Sequence, residues 1–346
     1  MANMRPHHTA AIARLRDYTP PPTTYFSLPL SRRAAVLILL YADRGGDLRV
    51  VLTMRAKTLK SYAGQAALPG GKADTVTETP FTTARREAEE EIGLPASPGG
   101  LPQPWRITHL AQLPTNLART ELGVRPCVAL LAPDPAYTPP PGQPLPLAED
   151  VLIPRLDARE VAAVFSAPLR DFLRVGRETR GQPWYEGVWI DWYATAWRMH
   201  NFYVPVESGP VVWAPERGNK GRPVVAGSSL PYRDIPQQRA RGKDEGARMG
   251  AGESVPVAVG REAARLVGQE EEGGRALSAF RVFGMTARIL VDCARVAYGE
   301  EPEFEHNSHF GDEELIGKLI KSGRLAAERT PGAEITREDL LAASKI

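Results

Sequence analysis

The sequence predicts an α/β fold in which a β-sheet carries helices on both faces. Residues 34 to 41 form a continuous apolar run, which is typical of a strand buried on both faces of its sheet. Residues 49 to 55 follow a Gly-Gly-Asp turn and fit the second strand of a hairpin. Farther along, Ala84, Ala88 and Ile92 recur at every fourth position, which predicts a helix that packs on this sheet.

The other elements follow from local signals. Thr79 and Pro80 predict the beginning of that helix, because proline fits a first helical turn, and Gly93 predicts its end. Two short helices near 312–328 and 336–344 are predicted at the C-terminal end, where Thr336 and Asp339 resemble a capping box. Apolar patterning predicts strands at 105–113, 123–131, 184–195 and 199–205, and helices at 168–174, 283–297 and 312–321.

Composition and charge exclude several classes of protein. The 346-residue chain has a formal net charge of +2 and no dense Lys/Arg face, so nucleic acid is not an expected partner. No apolar run approaches the ~20 residues that span a bilayer, and the N-terminus has no apolar signal core. The cysteines, Cys127 and Cys293, are too few for a disulfide framework. These features predict a soluble intracellular protein.

Composition also divides the chain into segments. Pro20 to Pro22 separate an N-terminal extension, residues 1–30, from the body. Residues 207–279 are poor in large apolar side chains and rich in Gly, Arg, Glu and Pro, which predicts a disordered insertion. The alternative is a folded loop that selects the substrate. Residues 301–346 are predicted to form a C-terminal helical extension.

Three glutamates load one face of the predicted helix. Glu87, Glu90 and Glu91 stand at i, i+3 and i+4, so they share a face and repel one another. They also lie near the helix end, where the dipole favours cations, and Arg86 lies upstream of them. This unfavourable arrangement predicts a missing partner, for which a divalent cation with oxygen ligands is the natural choice. The alternative is a solvated, glutamate-rich surface.

The residues around this helix add a recognisable context. Gly70 and Gly71, predicted to form a turn, precede the helix, Glu78 lies eight residues before Arg86, and Gly93 closes the segment. In this combination the segment resembles the Nudix box, the signature of hydrolases that cleave nucleoside diphosphates linked to another group. The resemblance implies an α/β/α sandwich with a mixed central sheet. Six residues separate Gly71 from Glu78, one more than in the general box, and the extra residue falls in the loop.

A second segment, directly upstream, resembles the extended motif of the coenzyme A diphosphatases within the Nudix superfamily. That motif contains Leu-Thr-x-Arg-Ser, Leu-Arg-x-His, Gly-Gln and Phe-Pro-Gly-Gly, and an Asp three residues beyond the glycines. The residues that match are Leu52, Thr53, Arg55, Leu59, Gly64, Gln65, Pro69, Gly70, Gly71 and Asp74. The residues that depart from it are Ala56, Lys60, Tyr62 and Leu68.

Two more segments are similar to this family. Residues 159–169 match its Glu-Val-x-x-Val-Phe-x-x-Pro-Leu segment, and residues 283–290 resemble its closing helix. The resemblance therefore predicts a Nudix hydrolase domain over residues 31–206, completed by a closing helix at residues 280–300.

The predicted site combines metal ligands with groups that orient them. Glu87, Glu90 and Glu91 are the expected ligands of Mg²⁺ or Mn²⁺, which prefer carboxylate and water oxygens. The resemblance adds the carbonyl of Gly71. One of Glu90 and Glu91 could instead orient or deprotonate the attacking water. Arg86 is expected to pair with one of the box glutamates and orient it.

Further candidates surround this centre. Glu160 is predicted to act either as an additional base or metal ligand, or as a structural acid that pairs with a neighbouring arginine. The residues predicted to bind the substrate are Arg55, Lys60, Gln65 and Lys72. Arg55 is the best of them, because a planar guanidinium suits phosphate oxygens, although a rim salt bridge is the alternative.

The resemblance implies a substrate and a reaction. Coenzyme A or an acyl derivative would be cleaved at its pyrophosphate, giving 4′-phosphopantetheine or its acyl form and adenosine 3′,5′-bisphosphate. One alternative is another Nudix specificity, such as NADH, a dinucleoside polyphosphate or an oxidised nucleotide. A second is a non-catalytic protein that senses a nucleotide. The retained glutamates argue against the second alternative, because such proteins typically lose them.

The chain ends in Ser344-Lys345-Ile346, one aliphatic substitution from the Ser-Lys-Leu peroxisomal signal. This tail predicts import through the peroxisomal receptor, in line with the peroxisomal type of coenzyme A diphosphatase, with a second population in the cytoplasm. The alternative is an accidental resemblance at the end of a helix.

Overall fold

A mixed β-sheet with helices on both faces forms the main body of the protein, and a smaller antiparallel sheet packs beside it. The structure is a computed structural model. The model describes residues 4–55, 65–97, 99–142, 147–148, 161–176, 183–192, 195–205, 208–209, 211–213, 224–226, 279–328, 335–336 and 338–339. The predictions made for Lys60, Glu160 and the tail Ser344-Lys345-Ile346 lie outside these residues.

The main sheet is built from strands of the first two thirds of the chain. In chain order these strands are β1 (Arg33–Ala42), β2 (Leu48–Arg55), β3 (Ala66–Ala67), β4 (Gly70–Lys72), β5 (Trp105–Gln112), β6 (Asn116–Leu117), β7 (Gly123–Pro133), β8 (Val161–Pro168), β11 (Val211–Trp213) and β12 (Val224–Ala226). The smaller sheet contains β9 (Tyr185–Trp192), β10 (Thr195–Pro205) and β13 (Ala279–Phe283). The α-helices are α1 (Pro6–Asp17), α2 (Pro80–Ile92), α3 (Gly284–Tyr298) and α4 (Glu313–Lys321).

The strand order of the main sheet is β12-β11-β8-β2-β1-β7-β5, with β3, β4 and β6 as short additions. Strands β1 and β7 are parallel, whereas the other pairs are antiparallel, so the sheet is mixed as predicted. Strand β1 pairs with β2 through residues 40–42 and with β4 through residues 34–36. The two hairpin strands therefore diverge, and β4 occupies the space between them beside α2.

Strand β1 is buried on both faces, as its apolar run predicts. Residues 37–41 are at most 1% exposed. Ile38 and Leu40 belong to the core that includes α1 and α3, whereas Leu37 and Leu39 belong to the core beneath α2. Because successive side chains of a strand point to opposite faces, β1 contributes to the core on both sides of the sheet.

The helix α1 differs most from the prediction. The sequence assigns residues 1–30 to an extension separated from the body, but Ile12 and Leu15 are buried in the main core with residues of α3. His8 fixes this packing, because its ring lies within hydrogen-bond distance of the Tyr298 hydroxyl (2.9 Å) and the Asp47 carboxylate (3.2 Å). The prolines after α1 therefore connect two parts of one core.

Three other predictions need correction. The helix expected at 168–174 is a short 3₁₀ helix, Leu169–Leu173, because it begins at a proline and ends after little more than one turn. Residues 211–213 and 224–226, assigned to the disordered insertion, form strands that extend the main sheet beyond β8. Strand β10 begins at Thr195, four residues before its predicted start.

Strands β9 and β10 are joined to α3 by a chain of buried side chains. The Tyr185 hydroxyl lies 3.0 Å from His200 Nδ1, His200 Nε2 lies 2.8 Å from His306 Nδ1, and His306 Nε2 lies 2.9 Å from Asp292 Oδ1. When both imidazoles are neutral, each group donates a hydrogen bond to the next, and the carboxylate of Asp292 accepts the last one. Burial is the largest cause that lowers the pKa of His200 to about 3, with smaller contributions from its neighbours His306 and Arg198.

The C-terminal region is fastened to the domain by buried ion pairs. Arg125 donates to Glu313 at 2.7 Å and Arg288 donates to Asp312 at 3.0 Å. Thr336 and Asp339 form the predicted capping box, in which the Thr336 amide donates to the carboxylate at 2.7 Å. Among the described residues, no helix is both long and apolar enough to cross a membrane.

Candidate active site

The helix α2 carries the predicted glutamates, and its ends follow from the sequence. The Thr79 hydroxyl accepts the amide of Thr82 at 3.1 Å and caps the first turn, while Pro80 is the first helical residue. Gly93 ends the helix with a φ of 66°, a left-handed conformation that favours glycine. Ala84, Ala88 and Ile92 pack on the sheet as predicted, which aims the glutamate face at the neighbouring strand β4.

The glycine pair is a strand rather than the predicted turn. Gly70 and Gly71 pair with Val36 and Ala35 of β1, an interaction between distant parts of the chain that local signals do not encode. Gly70 has a φ of 152°, and a Cβ there would overlap the Ala35 carbonyl. At Gly71 a Cβ would lie 2.6 Å from Oε1 of Glu87. The second glycine therefore leaves room for a carboxylate directly against the strand.

Arg86 is the hub of the site. Its Nε donates to Glu78 at 3.0 Å, and its Nη1 donates to Glu87 at 3.1 Å and to Glu90 at 3.2 Å. Its Nη2 donates to the carbonyl of Lys72 at 2.8 Å, so one guanidinium ties α2 to β4. Burial alone would lower the pKa of Arg86, but the bond to Glu78 and the charges of the helical glutamates raise it. The pairing predicted for this residue is present.

Glu78 anchors the arginine from the loop. Its Oε2 accepts the amide of Asp74 at 3.0 Å and the hydroxyl of Thr83 at 2.9 Å, while its Oε1 accepts from Arg86. Burial would raise the pKa of Glu78, but these hydrogen bonds lower it, so the carboxylate stays charged. The extra loop residue between Gly71 and Glu78 does not displace this anchor. The roles of Asp74 and Thr83 were missed in the sequence, although Asp74 matched the extended motif.

Glu91 is the buried member of the glutamate set. It is 4% exposed, and its Oε2 accepts the amide of Gly70 at 3.2 Å. Its Oε1 lies 3.7 Å from Nη1 of Arg55 at the end of β2. A carboxylate in this position is costly to bury unless charge and hydrogen bonds compensate it. The chain supplies both.

Arg86 and Arg55 are partners of these glutamates that the sequence did not reveal, because they reach them through folding rather than along the helix. The divalent cation expected as a further partner stays a prediction. The side chain of Glu90 is 56% exposed, whereas that of Glu87 is 17% exposed. Burial raises the pKa of Glu87, which Arg86 partly offsets. Within the described part of the chain, no three acidic, histidine or cysteine side chains converge into a ready metal site.

The chemistry of the donors nonetheless fits Mg²⁺ or Mn²⁺. Glu87, Glu90 and Glu91 offer carboxylate oxygens, the ligands that both ions prefer. The space against Gly71, which a Cβ would fill, accommodates the carboxylate of Glu87 beside the backbone of β4. Arg86 and Arg55 lie beside these carboxylates and offset part of their negative charge.

The predicted substrate-binding residues are only partly described. Arg55 ends β2, and its amide donates to the carbonyl of Gln65 at 3.0 Å, so these two residues lie together beside α2. Lys72 ends β4 with an exposed side chain, and its carbonyl holds Arg86. Glu160 directly precedes Val161, which pairs with Arg55, but Glu160 lies outside the described residues, as does Lys60.

Comparisons with known proteins agree with this geometry. The NUDIX domain family matches residues 31–116, which contain β1, β2 and the whole of α2. An uncharacterised Nudix hydrolase, NudL, of Cronobacter sakazakii is 34% identical over 168 residues, covering 47% of this chain and 72% of that protein. The chain belongs to the Nudix hydrolase family. This Nudix hydrolase carries its box glutamates on α2 and the box arginine at the centre of their contacts.

Two other relatives of this Nudix hydrolase are longer proteins. Peroxisomal coenzyme A diphosphatase 1 of Saccharomyces cerevisiae is 38% identical over 165 residues, 47% of this chain and 48% of that protein. Nudix hydrolase 22, chloroplastic, of Arabidopsis thaliana is 33% identical over 206 residues, 59% of this chain and 57% of that protein. The chain thus spans about half the length of these curated relatives.

Proposed function

We propose that the protein hydrolyses the pyrophosphate bond of coenzyme A and its acyl derivatives in the presence of Mg²⁺ or Mn²⁺. The observation that carries this proposal is the glutamate face of α2, which Arg86 fastens to β4 beside the glycine pair. Several carboxylates on one helix face beside a sheet suit the binding of a divalent cation, which in turn binds a polyanionic substrate. The products would be 4′-phosphopantetheine, or its acyl form, and adenosine 3′,5′-bisphosphate.

Two observations support coenzyme A as the substrate. The yeast relative is named as a coenzyme A diphosphatase, and its similarity to this chain is 38% over 165 residues. The extended motif around Arg55 and Gln65 resembles that family, and these two residues are joined by a backbone hydrogen bond of 3.0 Å. The departures at Ala56 and Tyr62 lie outside the described residues.

The proposed mechanism assigns a task to each side chain. Glu87, Glu90 and Glu91, with the Gly71 carbonyl, would hold the cation. When bound, the metal neutralises phosphate oxygens and lowers the pKa of a coordinated water. Arg86 keeps Glu87 and Glu90 in place through its hydrogen bonds, so the ligands need little reorganisation.

The remaining residues would act on the water and the substrate. In the alternative assignment, one of Glu90 and Glu91 would orient or deprotonate the attacking water instead of binding the cation. Glu160 is a further candidate for this base or for a metal ligand. Arg55, Lys60, Gln65 and Lys72 would hold the substrate, with the guanidinium of Arg55 directed to phosphate oxygens.

A product-resolved assay tests the substrate. The purified chain is incubated with coenzyme A, an acyl-coenzyme A, NADH, ADP-ribose, a dinucleoside polyphosphate and an oxidised nucleotide, each with Mg²⁺ and with Mn²⁺. The proposal expects both coenzyme A products by chromatography, at a rate above that for the other compounds. Faster turnover of another compound would contradict coenzyme A as the substrate but would leave the hydrolytic reaction in place. Turnover of none of the compounds would contradict the proposal that the protein is an enzyme.

Peroxisomal residence remains a prediction. The yeast relative is named peroxisomal, whereas the Arabidopsis thaliana relatives are named chloroplastic and mitochondrial. A fluorescent protein carrying the last dozen residues of the chain, compared with the same fusion lacking Ser344-Lys345-Ile346, tests it. Punctate signal that depends on the tripeptide supports import, and diffuse signal from both fusions contradicts it.

A further inference from the structure

We propose that Arg55 is the counter-ion of the buried Glu91 when no divalent metal is bound, and that metal binding releases its guanidinium to the substrate. Arg55 is thereby a positioning residue that sets the metal affinity of the site. This inference rests on the proposed function, because it assumes that Glu91 is a metal ligand. Beyond that function, the contacts of Arg55 indicate that its guanidinium exchanges the carboxylate of Glu91 for the substrate.

The first step is the cost of burying Glu91. This carboxylate is 4% exposed, and the amide of Gly70 satisfies one of its oxygens at 3.2 Å. Burying a carboxylate costs free energy, which a nearby positive charge offsets. Nη1 of Arg55, 3.7 Å from the other oxygen, supplies it.

The second step is that this pair is incomplete on the arginine side. A distance of 3.7 Å is an ion pair but too long for a hydrogen bond. The Nε of Arg55 is buried and has no hydrogen-bond partner within the described part of the chain, which is unusual for a buried polar atom. The side chain as a whole is 27% exposed, so the guanidinium also borders solvent. Such a group has donors to spare for an incoming oxyanion.

The third step is the position of Arg55 on its strand. The pairing of β2 with β8 shifts register between Met54 and Arg55. Irregularities of this kind redirect a side chain and often lie next to active sites. The backbone is fixed at the same place, because the Arg55 amide donates to Gln65 at 3.0 Å. A fixed backbone, together with a guanidinium that has hydrogen-bond donors to spare, allows Arg55 to change partner without a movement of β2.

A divalent cation and Arg55 therefore compete for the same carboxylate. When the cation binds Glu91, it neutralises the buried charge and repels the guanidinium. The nearest alternative for a displaced arginine at the rim is the oxygen of a substrate phosphate, which it can hold by two parallel hydrogen bonds. Substrate binding and metal binding would then be coupled, because each favours the released position of Arg55.

Calorimetric titration with Mn²⁺ alone tests the competition. Arg55→Gln removes the competing charge, so we expect it to bind Mn²⁺ about ten-fold more tightly than the wild type, within the usual range for coupled sites. Arg55→Lys retains the charge and should bind Mn²⁺ as the wild type does. Arg106→Gln is the matched control, because Arg106 forms an ion pair of the same 3.7 Å length with Asp134 on an exposed surface. It should not change the affinity.

Thermal melts in EDTA test the counter-ion itself. Arg55→Gln should lower the melting temperature by several degrees, because the buried Glu91 loses the positive charge that lies 3.7 Å from its Oε1. Adding Glu91→Gln to that variant should restore most of the loss, since the buried negative charge is then gone. A double variant no more stable than Arg55→Gln would overturn the pairing.

The outcomes separate this inference from the function on which it rests. If the wild type binds no Mn²⁺, the proposed metal site is wrong. If it binds Mn²⁺ and Arg55→Gln binds with equal or lower affinity, only the exchange is wrong. Should Arg55→Gln fail to fold, side-chain NMR of the wild type decides: the Arg55 Nε resonance, identified by its loss in Arg55→Lys, must shift when Mg²⁺ is added. A stationary resonance contradicts the release.

Discussion

Substituting alanine for Gly71 tests whether the Glu87 carboxylate must lie against β4. The backbone of Gly71 is outside the left-handed region, so alanine can adopt it without strain. The new Cβ, however, would overlap Cδ and Oε2 of Glu87, which lie even closer to it than Oε1 at 2.6 Å. Ordinary contact begins at 3.4 Å, so the carboxylate must retreat by about 1 Å. A displacement of this size in a catalytic group costs about 100-fold in rate, or about 2.7 kcal/mol.

The fold should tolerate the same change. The atoms that the new methyl group meets are the far end of a flexible side chain, so the free energy of unfolding should change by less than about 1 kcal/mol. Gly70→Ala is the contrasting variant, because its Cβ would overlap the Ala35 carbonyl and its φ is 152°. That variant should lose stability as well as activity. Gly317→Ala in α4, whose Cβ would lie in ordinary contact with Thr24 at 3.4 Å, is the control expected to keep both.

The assay combines steady-state kinetics with urea unfolding. Initial rates are measured with Mg²⁺ on the substrate that the compound panel identifies, and unfolding is followed by circular dichroism. Gly71→Ala is expected to lose activity at unchanged stability. A Gly71→Ala variant that keeps more than half of the wild-type kcat would refute the placement of Glu87, and one that unfolds would refute the tolerance of the strand.

Three other predictions follow. Arg86→Lys keeps the positive charge but loses the guanidinium that joins Glu78 to the helical glutamates. We therefore expect kcat to fall by about 100-fold with an unchanged circular dichroism spectrum, and an unchanged rate would contradict the role of Arg86 in holding the glutamates. Burial lowers the pKa of His200 to about 3 in the folded state, below its value of 6.5 in the unfolded state. The stability that the neutral imidazole contributes is therefore fully present above pH 6.5 and is lost as the pH falls towards 3. Between pH 7.5 and pH 5, the unfolding free energy of the wild type in urea should fall by about 2 kcal/mol more than that of His200→Gln, and an equal fall in both proteins would contradict a buried neutral imidazole. Glu313→Gln should lower the unfolding free energy by about 3 kcal/mol, because it leaves the buried Arg125 without its charge partner; an unchanged melting temperature would show that α4 is fastened otherwise.

Local signals in the sequence were sufficient for much of the fold. The apolar run at residues 34–41 predicted a strand buried on both faces, and the structure has it as β1. Thr79, Pro80 and Gly93 located the ends of α2 because capping depends on neighbouring residues alone. The spacing of the glutamates on that helix was likewise correct, since it follows from helical geometry.

The predictions that failed depend on contacts between distant residues. The glycine pair forms a strand only because β1, more than thirty residues earlier, offers a free edge. The helix α1 joins the core through His8 and Tyr298, which are 290 residues apart. Arg55, 36 residues before Glu91 in the chain, similarly reaches it only in the folded protein. The sequence therefore predicted which residues form the site, but not the ion pairs that those residues make with one another.

The most direct test of the account is the release of coenzyme A products by the wild type and by Glu90→Gln. Glu90 is half exposed, so its replacement should leave the fold intact, as circular dichroism can verify. With Mg²⁺ the wild type is expected to yield 4′-phosphopantetheine and adenosine 3′,5′-bisphosphate in equal amounts, and EDTA or the substitution should abolish both. Hydrolysis by Glu90→Gln at the wild-type rate would contradict a reaction carried by the glutamate face of α2.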